Sequence, residues 1–304
     1  MKRGVPMDET GFAVTAADTL LPFLLTHVKG CSRNTVKNLL AKRQILVDGH
    51  PTTQFDAPLT PGQTVTLLPK GGPAVPELPF SLLYEDEELI AIDKPAGLLS
   101  IATDKEKTQT AYHILTDYLR KRSGINRIFI LHRLDRDTSG VLVFAKTEAA
   151  KVLFQENWDK AVLERAYLAI VEGVPNPKVA TIRSFLRETA THVVYSADGP
   201  GGDAKEAITN YRMLTKHGDT ALLRVTLDTG RKNQIRVHLK EAGHPVIGDK
   251  KYGAVTDPLK RMGLHALTLK LKHPTTGAEL LFNAPVPPQF KKYLPRAYRE
   301  ADFY

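Results

Sequence analysis

The stretch that most constrains this chain is Leu131-His-Arg-Leu-Asp-Arg-Asp-Thr-Ser-Gly-Val-Leu-Val-Phe-Ala-Lys146. An apolar strand, Ile128 to Leu131, runs into a polar turn, and a second, Val141 to Ala145, leaves it. His132, Arg133, Asp135, Arg136, Asp137, Thr138 and Ser139 crowd the turn, which Gly140 closes. A turn held between two buried strands is rigid, so it is a place where reacting groups can be mounted. The same residues also suit a plain connection in which Asp and Ser side chains satisfy backbone donors. The turn alone leaves both readings open.

The chain has 304 residues, which suits one large domain with a small companion. It lacks an apolar run of the roughly 20 residues that a membrane span needs. Its first ten residues carry two positive charges but no apolar segment of the kind a signal peptide requires. The single cysteine, Cys31, excludes an internal disulfide and a cysteine-based zinc site, and favours a reducing, cytoplasmic setting. With 42 basic against 33 acidic residues the formal charge is +9, which fits a polyanionic partner without requiring one.

In chain order, Ala16 to His27 reads as a helix with Asp18 as its cap, and Ser32 to Arg43 as a second helix capped by Ser32. Val36, Leu39 and Leu40 share one face of that second helix, and Arg33, Lys37, Lys42 and Arg43 lie on the rest. Two strands follow, the first ending in the Asp48-Gly49 turn. Residues 71–80 are rich in Gly and Pro and read as a linker. Beyond it come a strand pair ending in Lys94-Pro-Ala-Gly97 and a helix over Ala111 to Arg122. After the central turn, a helix over 147–160 is expected to pack Val152 and Leu153, with Trp158 in the core. The strand from Arg165 carries Tyr167. Residues 174–206 are less regular, and a hairpin with a surface loop is the plainest reading. Paired strands then lead to Thr229-Gly230, a helix over Lys232 to Ala242, a turn-rich loop and two further strands.

The residues narrow the chemistry. Ser139, His132 and Asp135 formally allow a hydrolytic triad, but they sit in one turn without a nucleophile elbow. Paired-carboxylate hydrolysis by Asp135 and Asp137 would need an aromatic sugar-binding cleft, which the 7% aromatic content does not suggest. There is no metal-ligand spacing, no phosphate-binding Gly-rich loop and no dinucleotide fingerprint. What remains is a carboxylate, Asp135, in a basic setting that keeps it ionised.

His132-Arg-Leu-Asp-Arg-Asp-Thr-Ser-Gly140 resembles the signature of the RluA-type pseudouridine synthases. Thr229-Gly-Arg-Lys-Asn-Gln-Ile-Arg-Val-His238 with Gly248-Asp-Lys-Lys-Tyr-Gly253, Leu264-His-Ala-Leu with His273-Pro274, and Arg165-Ala-Tyr-Leu-Ala169 are similar to further blocks of that family, in the same order. Residues 15–70 resemble the alpha-L RNA-binding module of a small-subunit ribosomal protein. The resemblance implies an α+β fold: a small helix-helix-strand RNA-binding module (15–70), a linker (71–80), and a catalytic domain (81–295) with a mixed, mostly antiparallel sheet flanked by helices. It implies an isomerase that turns uridine in RNA into pseudouridine after flipping the base, without metal or organic cofactor. Asp135 would be the catalytic aspartate, Tyr167 the aromatic facing the base, and Arg231 the cation paired with Asp135. Arg133 would help displace the nucleotide, with Arg33, Lys37, Arg43 and Arg236 as further RNA contacts. Ribosomal RNA is favoured over transfer RNA, a monomer is the default, and a non-catalytic RNA-binding protein is the rival. At two positions the chain departs from the pattern: Lys232-Asn233 stand where the family usually has Thr-His.

Overall fold

A computed structural model describes residues 10–28, 30–42, 44–68 and 78–295. The chain divides into two compact units, one of residues up to 78 together with 117–126, the other of 79–116 and 127 onward. No helix among the described residues is long and apolar enough to cross a membrane.

The N-terminal elements are β1 (Thr10–Ala13), β2 (Asp18–Thr19), α1 (Leu20–His27), α2 (Arg33–Ala41), β3 (Ile45–Val47), β4 (His50–Pro51), β5 (Pro58–Leu59) and β6 (Thr64–Leu67). Four strands form a sheet in the order β1-β6-β3-β4, and β2 pairs with β5. Leu20, Phe23 and Leu24 of α1 pack against Val36, Leu39 and Leu40 of α2 and against Ile45, Val65 and Leu67, so the apolar face read from α2 is the buried one. Ser32 caps α2 as expected, its Oγ accepting from the Thr35 amide at 3.2 Å. Asp18 does not cap α1. Its carboxylate accepts from the Thr19 amide at 2.7 Å, and both residues pair with β5, which delays the helix to Leu20. In the hairpin, Asp48 and Gly49 both take positive φ, and the Asp48 carboxylate ties the turn to the Thr64 amide at 2.8 Å.

The remaining elements are β7 (Ser81–Glu85), β8 (Leu89–Lys94), α3 (Ala111–Ser123), β9 (Phe129–Ile130), β10 (Ser139–Ala145), α4 (Glu148–Ala161), β11 (Val162–Glu172), β12 (Val179–Glu188), β13 (Val194–Ala197), β14 (Lys205–His217), β15 (Thr220–Leu227), α5 (Gln234–Glu241), β16 (Leu264–Lys272) and β17 (Glu279–Asn283). Nine strands run β13-β12-β14-β15-β11-β16-β10-β8-β7, with β17 added to β16 and β9 to β10. Only β10 and β16 pair in parallel, so the sheet is mixed and mostly antiparallel. All seven residues of β10 are buried, and Gly140 allows this. Its φ is +111°, and a Cβ there would run into the backbone of Ala266 on β16.

Two sequence expectations shift, and a third holds. In α4, Ala150 and Phe154 face the core, whereas Val152 and Leu153 are 39% and 41% exposed. Thr147 caps this helix, its Oγ1 accepting from the Ala150 amide at 3.2 Å, and that start sets the phase. The less regular stretch 174–206 contains the β12–β13 hairpin at the sheet edge, the hairpin that its plainest reading expects. Helix α5 starts at Gln234 instead of Lys232, because Asn233 sits in the left-handed region with φ 54°.

Candidate active site

The turn between β9 and β10 is tied down from below by Lys94, a side chain with no solvent exposure. Its ammonium donates to the carbonyls of Pro95 (2.9 Å), Leu98 (2.7 Å) and Arg136 (3.0 Å). Three acceptors use all three ammonium protons. Burial pushes the Lys94 pKa down to about 7, against the pull of Asp137 and Asp135. Ser100 adds a second tie: its Oγ donates to the Leu134 carbonyl at 2.7 Å. The loop after β8 thus fixes the backbone on both sides of Asp135.

Asp135 forms an ion pair with Arg236 of α5, Nη1 to Oδ2 at 3.0 Å. This corrects the expectation that Arg231 is its cation. Arg231 lies before the helix, where its Nε donates to the Glu206 carbonyl at 2.9 Å and its amide to Gln234 Oε1 at 2.9 Å. Because Asn233 is left-handed and the helix begins one residue later, Arg236, in the first turn of α5, meets the aspartate.

Arg236 is itself held. Nε and Nη2 clamp the Asp249 carboxylate at 2.6 and 2.8 Å, Nη1 also donates to Asn233 Oδ1 at 2.7 Å, and the guanidinium lies 4.8 Å from the centre of the Tyr252 ring. Burial opposes its charge, but the Asp249 hydrogen bonds and the charges of Asp135 and Asp249 more than reverse this, so its pKa is raised. The side chains of Arg236, Asp135 and Asp249 are 12%, 22% and 2% exposed. Asp135 is the carboxylate of this set that stays most open to solvent. Asp249, in the Gly248–Gly253 block, and Asn233 were not singled out from sequence as site residues.

Asp135 stands on the wall of a cavity of about 450 Å³ lined also by His132, Trp158, Arg165, Tyr167 and Arg231. That volume lies within the range of small-molecule sites. Burial pushes the Tyr167 hydroxyl up to about 12, with Arg165 opposing and Asp135 adding to the rise, so it is a neutral phenol at pH 7. Arg165 donates to the carbonyls of Leu227 (3.2 Å) and Asp228 (3.0 Å). It also fills the space beside Gly230, where any Cβ would strike its guanidinium. Gln234 joins this loop to β14 through Ile208 and Thr209, both at 3.0 Å. Trp158 is only partly buried and lines the cavity, so it is more than a core residue.

A second, more open groove of about 740 Å³ shares Arg133, Asp135, Lys232, Asn233 and Arg236 with the cavity. It is lined further by Arg136, Lys250, Lys251, Lys260 and Arg261, against Asp137 and Asp249. The cavity carries the aromatic rings, the groove is rich in cations, and Asp135 lines both. Arg133 is exposed there. Arg33 and Lys37 are exposed on α2 in the other unit, and Arg43 lies outside the described residues.

The hydrolytic alternatives do not survive the geometry. His132 Nε2 accepts from the Val143 amide at 3.1 Å, and burial, helped by the Arg165 charge, pushes its pKa down to about 4. Ser139 Oγ instead contacts His265 Nδ1 at 2.8 Å and accepts from Arg261 at 2.7 Å. Asp137 pairs with its neighbour Arg136 at 3.1 Å, apart from the Arg236 system. Among the described residues, no three His, Cys, Asp or Glu side chains come together in a way that would hold a metal ion.

Comparison with known proteins gives the class of this sheet and site, that of an RNA-modifying isomerase. Residues 88–241 match the RNA pseudouridylate synthase family. An RNA pseudouridine synthase of Chlorobaculum parvum is 32% identical over 292 residues, spanning 87% of this chain and 89% of that protein. Ribosomal large subunit pseudouridine synthase D of Vibrio cholerae is 31% identical over 274 residues, 84% of each chain. The solved structure of human RNA pseudouridylate synthase domain containing 4 shares the fold, with a TM-score of 0.58 at 24% identity over 70% of this chain and 92% of that one. The chain belongs to the RNA pseudouridylate synthase family.

Proposed function

We propose that this enzyme converts uridine to pseudouridine in ribosomal RNA, with Asp135 as the reacting carboxylate. One observation carries the reading: Arg236 holds Asp135 where a cavity beside Tyr167 meets a cationic groove. The reaction breaks the N1–C1′ bond, turns the base and joins C1′ to C5. The C5 hydrogen leaves to solvent and N1 gains a proton, so the change is redox-neutral. Asp135 either attacks C1′ or takes the C2′ proton. The Arg236 guanidinium, 3.0 Å away, holds the carboxylate in place for both routes. Tyr167 gives the detached base an aromatic wall. Lifting the nucleotide from its stack costs a few kcal/mol, offset by phosphate contacts along the groove, to which Arg133 contributes.

Ribosomal RNA is proposed because relatives of similar length carry the name of a ribosomal large subunit synthase. In this reading residues 15–70 form an RNA-binding module presenting Arg33 and Lys37, residues 81–295 form the catalytic domain, and the protein acts as a cytoplasmic monomer. The test is tritium release from ribosomal RNA labelled at uracil C5. Wild type should release tritium, and D135N should release less than about one-thousandth as much, in line with loss of a reacting group. Equal release by the two would contradict the assignment.

A further inference from the structure

Asn233 occupies a key position in the site. Its Oδ1 accepts from Arg236 Nη1 at 2.7 Å, and its Nδ2 donates to the Tyr252 hydroxyl at 2.9 Å. That hydroxyl also accepts from the Val194 amide at 3.2 Å, which fixes it on the hairpin side of the groove. The amide orientation is dictated by its partners, because a reversed amide would set an N–H against the guanidinium. Asp249 engages Nε and Nη2 of Arg236, leaving Nη1 with two protons and two acceptors, Asp135 and Asn233.

From this geometry we infer that Asn233 is a positioning residue for the isomerisation, holding one Nη1 proton of Arg236 so that the other is presented to Asp135. The inference rests on the function proposed above and adds a requirement to it: position 233 must offer one acceptor and one donor at once. Asparagine does so, and so does neutral histidine. Both tolerate the left-handed backbone at 233, as does glycine. Protonated histidine offers only donors.

The experiment compares wild type, N233G and N233H in the tritium-release assay on the full chain from pH 5 to 9. N233G removes both hydrogen bonds without straining the backbone. It should lower kcat roughly tenfold or more, since small misplacements of a catalytic group have effects of this order. KM for RNA should stay within about twofold, because Asn233 is buried. N233H should work within about threefold of wild type at pH 8. It should then lose activity as the pH falls through a value at or below the ordinary histidine pKa of roughly 6.5, as the imidazole loses its acceptor and repels Arg236.

The groups that share the site with position 233 are Arg236, Asp135, Asp249 and Tyr252, with Lys232 and its partner Glu188, Arg133, Lys250, Lys251 and His192 along the groove. The informative limb is the one that N233H shows and wild type lacks. Should N233G fail to fold, that limb alone decides. N233G as fast as wild type, a loss confined to KM, or an N233H profile that matches wild type would each overturn the inference. A wild-type protein that releases no tritium would instead overturn the function, and this inference with it.

Discussion

At the residue scale, the site turns on one correction. Arg231 and Arg236 lie five positions apart in a basic block, and nothing in their spacing says which meets Asp135. What decides it is the left-handed residue between them, a backbone state that the sequence marks only weakly, through an Asn. Asp135 and Tyr167 were legible because they stand inside motif blocks whose order is itself a signal. Asp249 was not read as a site residue, because a carboxylate that only clamps another side chain has no local pattern of its own. The arginines should therefore differ sharply. R236A should cut kcat by about a hundredfold or more, as expected when a preorganised charge partner is lost. It should also destabilise the fold by roughly 3–5 kcal/mol, because Asp249 is left buried without its cation. R231A should cost less than tenfold in kcat, because Nε serves a backbone carbonyl. Tritium release and urea denaturation of both variants check this, and equal losses would contradict it.

At the scale of elements, strand β10 and the loop after β8 carry the site. The continuous apolar run Val141 to Ala145 was enough to place β10, but its burial on both faces depends on the close approach of β16, a neighbour more than a hundred residues away in sequence. Helix α4 shows the complementary limit. Its existence was plain, yet Val152 and Leu153 proved exposed, because the cap at Thr147 sets the phase and one residue of slip turns a helix by about 100°. Replacing Gly140 by Ala should destabilise the protein by several kcal/mol, since both the positive φ and the Ala266 backbone oppose a Cβ. K94M should cost on the order of 3 kcal/mol, because three buried carbonyls lose their donor. It should also slow tritium release, because the Arg136 carbonyl beside Asp135 is no longer anchored. A K94M protein with wild-type stability would contradict the clamp.

At the scale of the whole molecule, charge is the governing quantity. Between about pH 6 and 4.5, the unfolded chain protonates His132 and His265, whose folded pKa values burial pushes down to about 4 and about 3. Both groups are depressed on folding, so the stability they contribute is present at neutral pH and lost as the pH falls. Asp93 works the other way: burial pushes it up to about 6, against Arg261 and Lys94, so there the folded chain takes the proton. Burial lowers His238 as well, so the histidines outweigh Asp93 and stability should fall as the pH drops through that window. Urea denaturation at pH 6 and 4.5 checks this, and unchanged stability would contradict it.

The positive balance of +9 also bears on binding. Reversing Arg33, Lys37 and Lys42, all exposed around α2, should reduce the slope of log affinity against log salt for ribosomal RNA by roughly 2–3, at about 0.7–0.9 per phosphate contact. An unchanged slope would remove α2 from the RNA interface.

The most direct measurement of the central claim is a map of pseudouridines in the ribosomal and transfer RNA of cells carrying the wild-type chain and of cells carrying only D135N. The account expects one or more ribosomal positions to lose pseudouridine completely in the D135N cells while the protein remains present and folded. Identical maps, with every position retained, would contradict it.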